Sequence, residues 1–130
     1  MSNIKRLQMA SAVCNDERIS ISSSFFGLTS RITYKATGST VDADILEFTP
    51  EDGKQLRAIV DAPRSQLALL ATRFHPRPTV NGHYMLEMVR SRDHAYVALR
   101  LYQFLQMQYE PVTDVLTYEG DEARLIAQIF

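Results

Sequence analysis

The chain has 130 residues, with 45% hydrophobic and 22% charged side chains, the size and balance of one globular domain that can bury a core without disulfides or a structural metal. Its formal charge of −1 and pI near 6.3 give no global field, so attraction to nucleic acid or to a membrane surface would have to come from a local patch. The single cysteine, Cys14, excludes an intramolecular disulfide and fits a reducing compartment, and no apolar stretch approaches the roughly 20 residues of a membrane span.

The N-terminal run Met1 to Gln8 has no long apolar core behind its positive charges, so no signal peptide is expected and the cytoplasm is the expected location. Ile4, Leu7, Ser11 and Cys14 recur at helical spacing and predict a short helix over 3–14. Arg18 to Ser24 alternates, with Ile19 and Ile21 on one side and Ser20 and Ser22 on the other. It reads as a strand, with Gly27 marking the turn after it. Arg31 to Ala36 and Val41 to Phe48 read as two more strands, joined by turn residues around Gly38 into an antiparallel meander.

Thr49-Pro50-Glu51-Asp52 is a clear helix start. The threonine hydroxyl can accept an orphan backbone N–H, proline lacks the N–H it would waste, and the carboxylates meet the positive end of the dipole. Leu56, Ile59 and Val60 supply the buried stripe and Pro63 interrupts it. Leu67, Leu70, Ala71 and Phe74 form a second helix that ends at His75-Pro76-Arg77-Pro78. Asn81-Gly82 is a turn dipeptide, and His83 to Val89 follows as a strand.

The run from Ala95 to Tyr109 fits two patterns. As a helix, Asp93 caps it and Ala98, Leu101, Leu105 and Tyr109 share a face. As a strand, Val97, Leu99, Leu101 and Leu105 alternate with polar neighbours, and Ser91-Arg92-Asp93 becomes a hairpin turn. The helix is preferred because fifteen residues is long for a strand. After Pro111 and Gly120, Asp121 caps a closing helix whose face is Leu125, Ile126, Ile129 and Phe130, with a short strand as the rival. The expected fold is a single α+β domain over 1–130, an antiparallel meander of about three to five strands packed against two to four helices.

No familiar catalytic constellation is legible: there is no nucleophile elbow, phosphate loop, zinc-protease helix or cysteine pair, and no cofactor or metal is expected. His75, His83 and His94 are separated by eight and eleven residues, which matches no usual zinc spacing. Asp42 and Asp44 share a strand face and could hold a cation, but the plainer reading is a solvated face opposite Val41, Ala43 and Ile45. Cys14 sits near Asp16 and Glu17, which oppose a thiolate, and reads as a buried small side chain.

Charge is segregated. Residues 57–100 carry seven arginines against three acids, whereas 41–56 and 101–130 each net −4. Arg73, Arg77, Arg90, Arg92 and Arg100, with Tyr96 and Tyr102, are the candidate partner-binding residues, because arginine and tyrosine dominate interface hot spots. Phe104 and Tyr109, interleaved with Gln103, Gln106 and Gln108, extend the same segment.

The expected function is a non-enzymatic module that covers a surface of a larger protein. In size, charge layout and lack of catalytic motif the chain resembles, in general character, small phage or mobile-element inhibitors of host defence complexes. A nucleic-acid-binding regulator using the arginine cluster is the alternative, weakened by the acidic pI. An enzyme using Asp42, Asp44 and a histidine is a further one. If 95–109 is a strand, the layout of strands, helix, hairpin and helix resembles small dimeric secretion chaperones, which leaves room for a homodimer. No membrane partner is expected.

Overall fold

The structure, a computed structural model, describes residues 11–23, 30–80 and 82–130. It is an α+β fold built on a seven-stranded antiparallel sheet. In chain order the elements are α1 (Ser11–Cys14), β1 (Ile19–Ser23), β2 (Ser30–Tyr34), β3 (Thr40–Phe48), α2 (Pro50–Asp61), a 3₁₀ turn (Arg64–Gln66), α3 (Leu67–Arg73), β4 (Tyr84–Ser91), β5 (Tyr96–Leu105), β6 (Gln108–Pro111), β7 (Leu116–Glu119) and α4 (Asp121–Ile129). Strands β1 to β6 lie side by side in sequence order, and β7 pairs with the first half of β5 where β6 has left it. Among the described residues no helix is long and apolar enough to cross a membrane.

The local signals around residue 50 work as their chemistry requires. Thr49 Oγ1 accepts from Asp52 N–H at 3.3 Å, Pro50 opens α2, and Leu56 and Ile59 are buried while Val60 is half-buried. Leu67 and Ala71 anchor α3, with Leu70 and Phe74 beside them. The closing helix also forms, burying Ala123, Ile126 and Ile129, with Gly120 rather than Asp121 at its N-cap. The expected turns at Gly27 and Asn81, and the helical positions Ile4 and Leu7, lie outside the described residues; Ser11 to Cys14 are helical.

Two expectations are corrected. Residues 96–105 form a ten-residue strand, not a helix, and the run ends in a two-residue turn at Gln106 and Met107 before β6. Among the described residues the strand count therefore rises to seven, above the three to five expected. The preference for a helix failed because β5 is long for a specific reason: its first half pairs with β7 and its second with β6, so one strand serves two neighbours on the same side.

The sheet carries two cores on opposite faces, which lie at opposite ends of β3 and back onto each other at the start of β5. Leu46, Phe48, Tyr84, Leu86, Met88, Val97, Leu99 and Leu101 point to the front face, where α2, α3 and α4 cover them. Val41, Ala43, Val89, Tyr96 and Ala98 point to the back face and meet α1, Ile19, Ile32 and Tyr34. Strand β3 shows the crossover most plainly. Asp42 and Asp44 precede Leu46 and Phe48 on the front, and Val41 and Ala43 precede Ile45 and Glu47 on the back. On this strand the buried apolar residues of the back face, Val41 and Ala43, stand in the first half, and those of the front face, Leu46 and Phe48, in the second.

Candidate functional site

The arginines expected to cluster do not share one surface. Arg90 lies on the front face opposite Asp42 and Val97, whereas Arg100, three residues beyond Val97, points to the back. Arg92 sits in the β4–β5 turn and is held by Asp42, with Nε and Nη2 donating to its two carboxylate oxygens at 3.0 and 3.2 Å. Arg73 ends α3 and Arg77 follows in the extended segment before Thr79, both exposed. Thr79 bridges Glu47, near the far end of β3 from the β4–β5 turn, so the length of a strand, roughly 25 Å, lies between the neighbourhoods of Arg77 and Arg92.

Tyr96 has no exposed surface. Its ring belongs to the back core and its hydroxyl donates to Asp16 Oδ2 at 2.9 Å, so it serves the fold from inside. Arg100 and Tyr102 do come together: the guanidinium carbon lies 5.5 Å from the Tyr102 ring centroid, and Arg100 Nε donates to the Thr113 carbonyl at 3.0 Å. The other proposed constellation is spoken for as well, since Asp42 is the partner of Arg92 and Asp44 has an interaction of its own. Among the described residues no three His, Cys, Asp or Glu side chains gather as metal ligands would.

Directly opposite Arg100 on β4 stands Glu87, a residue with no distinguishing signal in the sequence. It is only 5% exposed, takes a hydrogen bond from Tyr102, and leaves Oε2 without a hydrogen-bond partner. Burial raises its pKa against the pull of that hydrogen bond and of Arg100. Burial and, less strongly, the Glu87 charge push the Cys14 thiol up to about 11, which opposes formation of a thiolate there.

From this cluster the back face runs on to the β5–β6 hairpin. Phe104 and Tyr109 face each other edge to face across the strands, centroids 5.1 Å apart. The Tyr109 hydroxyl donates to Glu47 Oε1 at 3.1 Å and to the Gly82 carbonyl at 3.0 Å, which fixes the hairpin against β3 and the loop before β4. Its tip projects apolar side chains: Phe104 is 39% exposed, Leu105 47% and Met107 88%. Gln106 and Met107 both adopt positive φ, 48° and 71°, the backbone of a type I′ turn that Asn-Gly ordinarily supplies. Gln108 donates to Glu110 beside the tip, so amides and one carboxylate rim the apolar group.

Elsewhere the surface offers shallow hollows. One of about 290 Å³ lies between the β4–β5 turn and α4, lined by Asp93, His94, Arg124, Ala127 and Gln128. Its charges already have roles, since Asp93 accepts the Ala95 N–H and Arg124 pairs with Asp121. No family model matches the chain, and no curated protein or solved structure matches it either.

Proposed function

We propose that the protein is a non-enzymatic binding module that covers a surface of a larger protein by seating the tip of the β5–β6 hairpin in an apolar cleft. The observation that carries this reading is the pairing of exposure with strain at Met107. A large apolar side chain stands 88% exposed on a backbone at φ 71°, where glycine would serve the turn better. Non-glycine residues at positive φ cost of order 1–3 kcal/mol each and gather at functional sites. Phe104 and Leu105 supply further anchors, and the Gln106, Gln108 and Glu110 rim gives the polar surround expected of a hot spot. Arg100 and Tyr102, from the expected interface set, flank the same hairpin; Arg90 and Arg92 lie toward the other end of β4, by the start of β5.

This arrangement suits an inhibitor or adaptor that acts by occupancy. A second reading, a small dimeric chaperone or adaptor, is favoured by one observation: 96–105 is a strand, which gives the layout of helix, strands, helix, strands and closing helix. The nucleic-acid reading draws no support from a shared arginine surface, because Arg90 and Arg100 occupy opposite faces.

The test compares tagged wild-type protein with Met107→Glu in nuclease-treated lysate of the native host. A stoichiometric protein partner on the wild type, lost on Met107→Glu and little altered between low and moderate salt, is the expected result. Partners equally retained by Met107→Glu would overturn the hairpin reading. Partners that vanish with nuclease and with salt would point to nucleic acid.

A further inference from the structure

The two ends of the sheet are not treated alike. On the β5 side, the edge consists of β6 and β7, each four residues long, and β6 closes on Pro111, which cannot donate to a ladder. At the other end stands β1, Ile19-Ser20-Ile21-Ser22-Ser23, with no charged residue and no proline, and with Ser20, Ile21 and Ser22 exposed. Ile21, at 52% exposure, presents an isoleucine on a strand that, among the described residues, carries neither a charge nor a proline to guard its edge.

The backbone direction of β1 follows from its pairing with β2. Lys35 N–H donates to the Arg18 carbonyl at 3.0 Å, whereas Tyr34 N–H turns the other way and donates to the Ser39 carbonyl at 2.8 Å. Antiparallel pairs alternate, so the register Ser20↔Thr33 and Ser22↔Arg31 is hydrogen-bonded, while Ile19↔Tyr34 and Ile21↔Ile32 are not. The N–H and C=O of Ile21 therefore point away from β2, toward the open edge.

The geometry points to a symmetric dimer in which β1 pairs antiparallel with β1 of a second copy, about a two-fold axis at Ile21. This register is self-complementary. Ile21 opposes its own copy and exchanges two backbone hydrogen bonds with it, Ser20 opposes Ser22, and Ile19 opposes Ser23. No like charges meet across the five paired residues. A second copy suits this edge because both copies present the same uncharged strand, and a two-fold axis at Ile21 sets each outward N–H against the other's outward carbonyl. The inference is independent of the hairpin tip, which belongs to the opposite edge of the sheet.

Sedimentation velocity at about 100 µM, together with disulfide trapping, tests it. The wild type is expected to sediment as a dimer. Ile21→Pro, which removes an N–H that β2 does not use, is expected to be monomeric with an unchanged circular dichroism spectrum. Directly opposed hydrogen-bonded residues have Cα atoms roughly 5.5 Å apart, within disulfide reach, so Ile21→Cys is expected to oxidise to a covalent dimer. Ser20→Cys, displaced from its own copy in this register, is expected to stay uncrosslinked. A monomeric wild type, a dimer that survives Ile21→Pro, or equal crosslinking of the two cysteine variants would overturn the proposal. Should Ile21→Pro fail to fold, the contrast between the two cysteine variants decides alone.

Discussion

The ring of Tyr96 in β5 stacks on that of Tyr34 in β2, centroids 5.0 Å apart and planes at 23°, although β3 and β4 lie between their strands. Two strands three places apart can touch only if the sheet curls, so this contact reports a tightly wound end of the meander. Hydroxyls complete the closure. Tyr96 donates to Asp16 at 2.9 Å, and Tyr34 donates to Glu119 Oε2 at 2.6 Å, tying β2 to β7. Arg18 reaches both carboxylates, at 3.1 Å to Asp16 and 2.7 Å to Glu119.

Removing the Tyr96 hydroxyl tests this clasp. Tyr96→Phe keeps the stacking and loses one bond to a carboxylate, so stability should fall by about 1.5 kcal/mol, with the denaturant slope unchanged. Tyr96→Ala empties the back core and should cost about 3–5 kcal/mol. Urea titration of both variants separates the polar contribution from the packing contribution.

The same clasp predicts how stability depends on pH. Burial alone would raise the Asp16 pKa, but the Arg18 N–H, the Tyr96 hydroxyl and the Arg18 guanidinium outweigh it, and the net shift is downward. A carboxylate depressed in the folded state stabilises above its unfolded value, about 3.9, and loses that contribution as pH falls further. On the alkaline side, the bond to Glu119 and burial push the Tyr34 phenol up to about 12, and burial with the Asp16 bond raises Tyr96. Stability should accordingly fall as pH rises above about 10, where the unfolded phenols ionise. Melting curves from pH 2 to 11 should show both flanks. Asp16→Asn should flatten the acid one.

Glu87 has the opposite sign. Its pKa is raised, so the ionised carboxylate opposes folding at neutral pH, and protonation on acidification relieves it. Glu87→Gln preserves shape and an acceptor for Tyr102. It should stabilise by about 1 kcal/mol at pH 7, because a buried charge with one oxygen lacking a hydrogen-bond partner is removed. The advantage should disappear in acid, where the wild-type carboxyl is neutral. Equal stability of the two proteins at pH 7 would show that the carboxylate is compensated.

Gly53 sets helix propensity against packing. In an open helix, Gly→Ala gains about 1 kcal/mol. Here a Cβ would overlap the ring of Tyr84, and overpacking of that kind costs about 1–3 kcal/mol. The cost should win by about 1 kcal/mol, lowering the melting temperature of Gly53→Ala. Gly82→Ala should fare worse, since its Cβ would meet the backbone of Phe48, which cannot rotate aside as a ring can.

How far the sequence spoke depended on whether a signal was local. Thr49 and Pro50 announce α2 because capping chemistry needs only four consecutive residues. Residues 95–109 misled because the turn at Gln106 and Met107 contains neither glycine nor asparagine, so nothing divides a strand from its return. The charge blocks were legible as composition, but whether Arg90 and Arg100 share a face depends on strand parity, which a helix over 95–109 does not reveal. Glu87 looks like any strand carboxylate until Arg100 and Tyr102 are placed beside it.

That unmarked turn supplies the sharpest separation of stability from function. Replacing Gln106 by Asn and Met107 by Gly installs the residues a type I′ turn favours; removing one left-handed side chain and easing the other should stabilise the protein by about 1–2 kcal/mol. The same change deletes the most exposed apolar side chain of the hairpin. Thermal melting should therefore rise by several degrees while capture of the protein partner is lost. If the double variant gained stability and still held the partner, the hairpin tip would be no anchor. If it gained none, the strain at Gln106 and Met107 would already be compensated within the free protein.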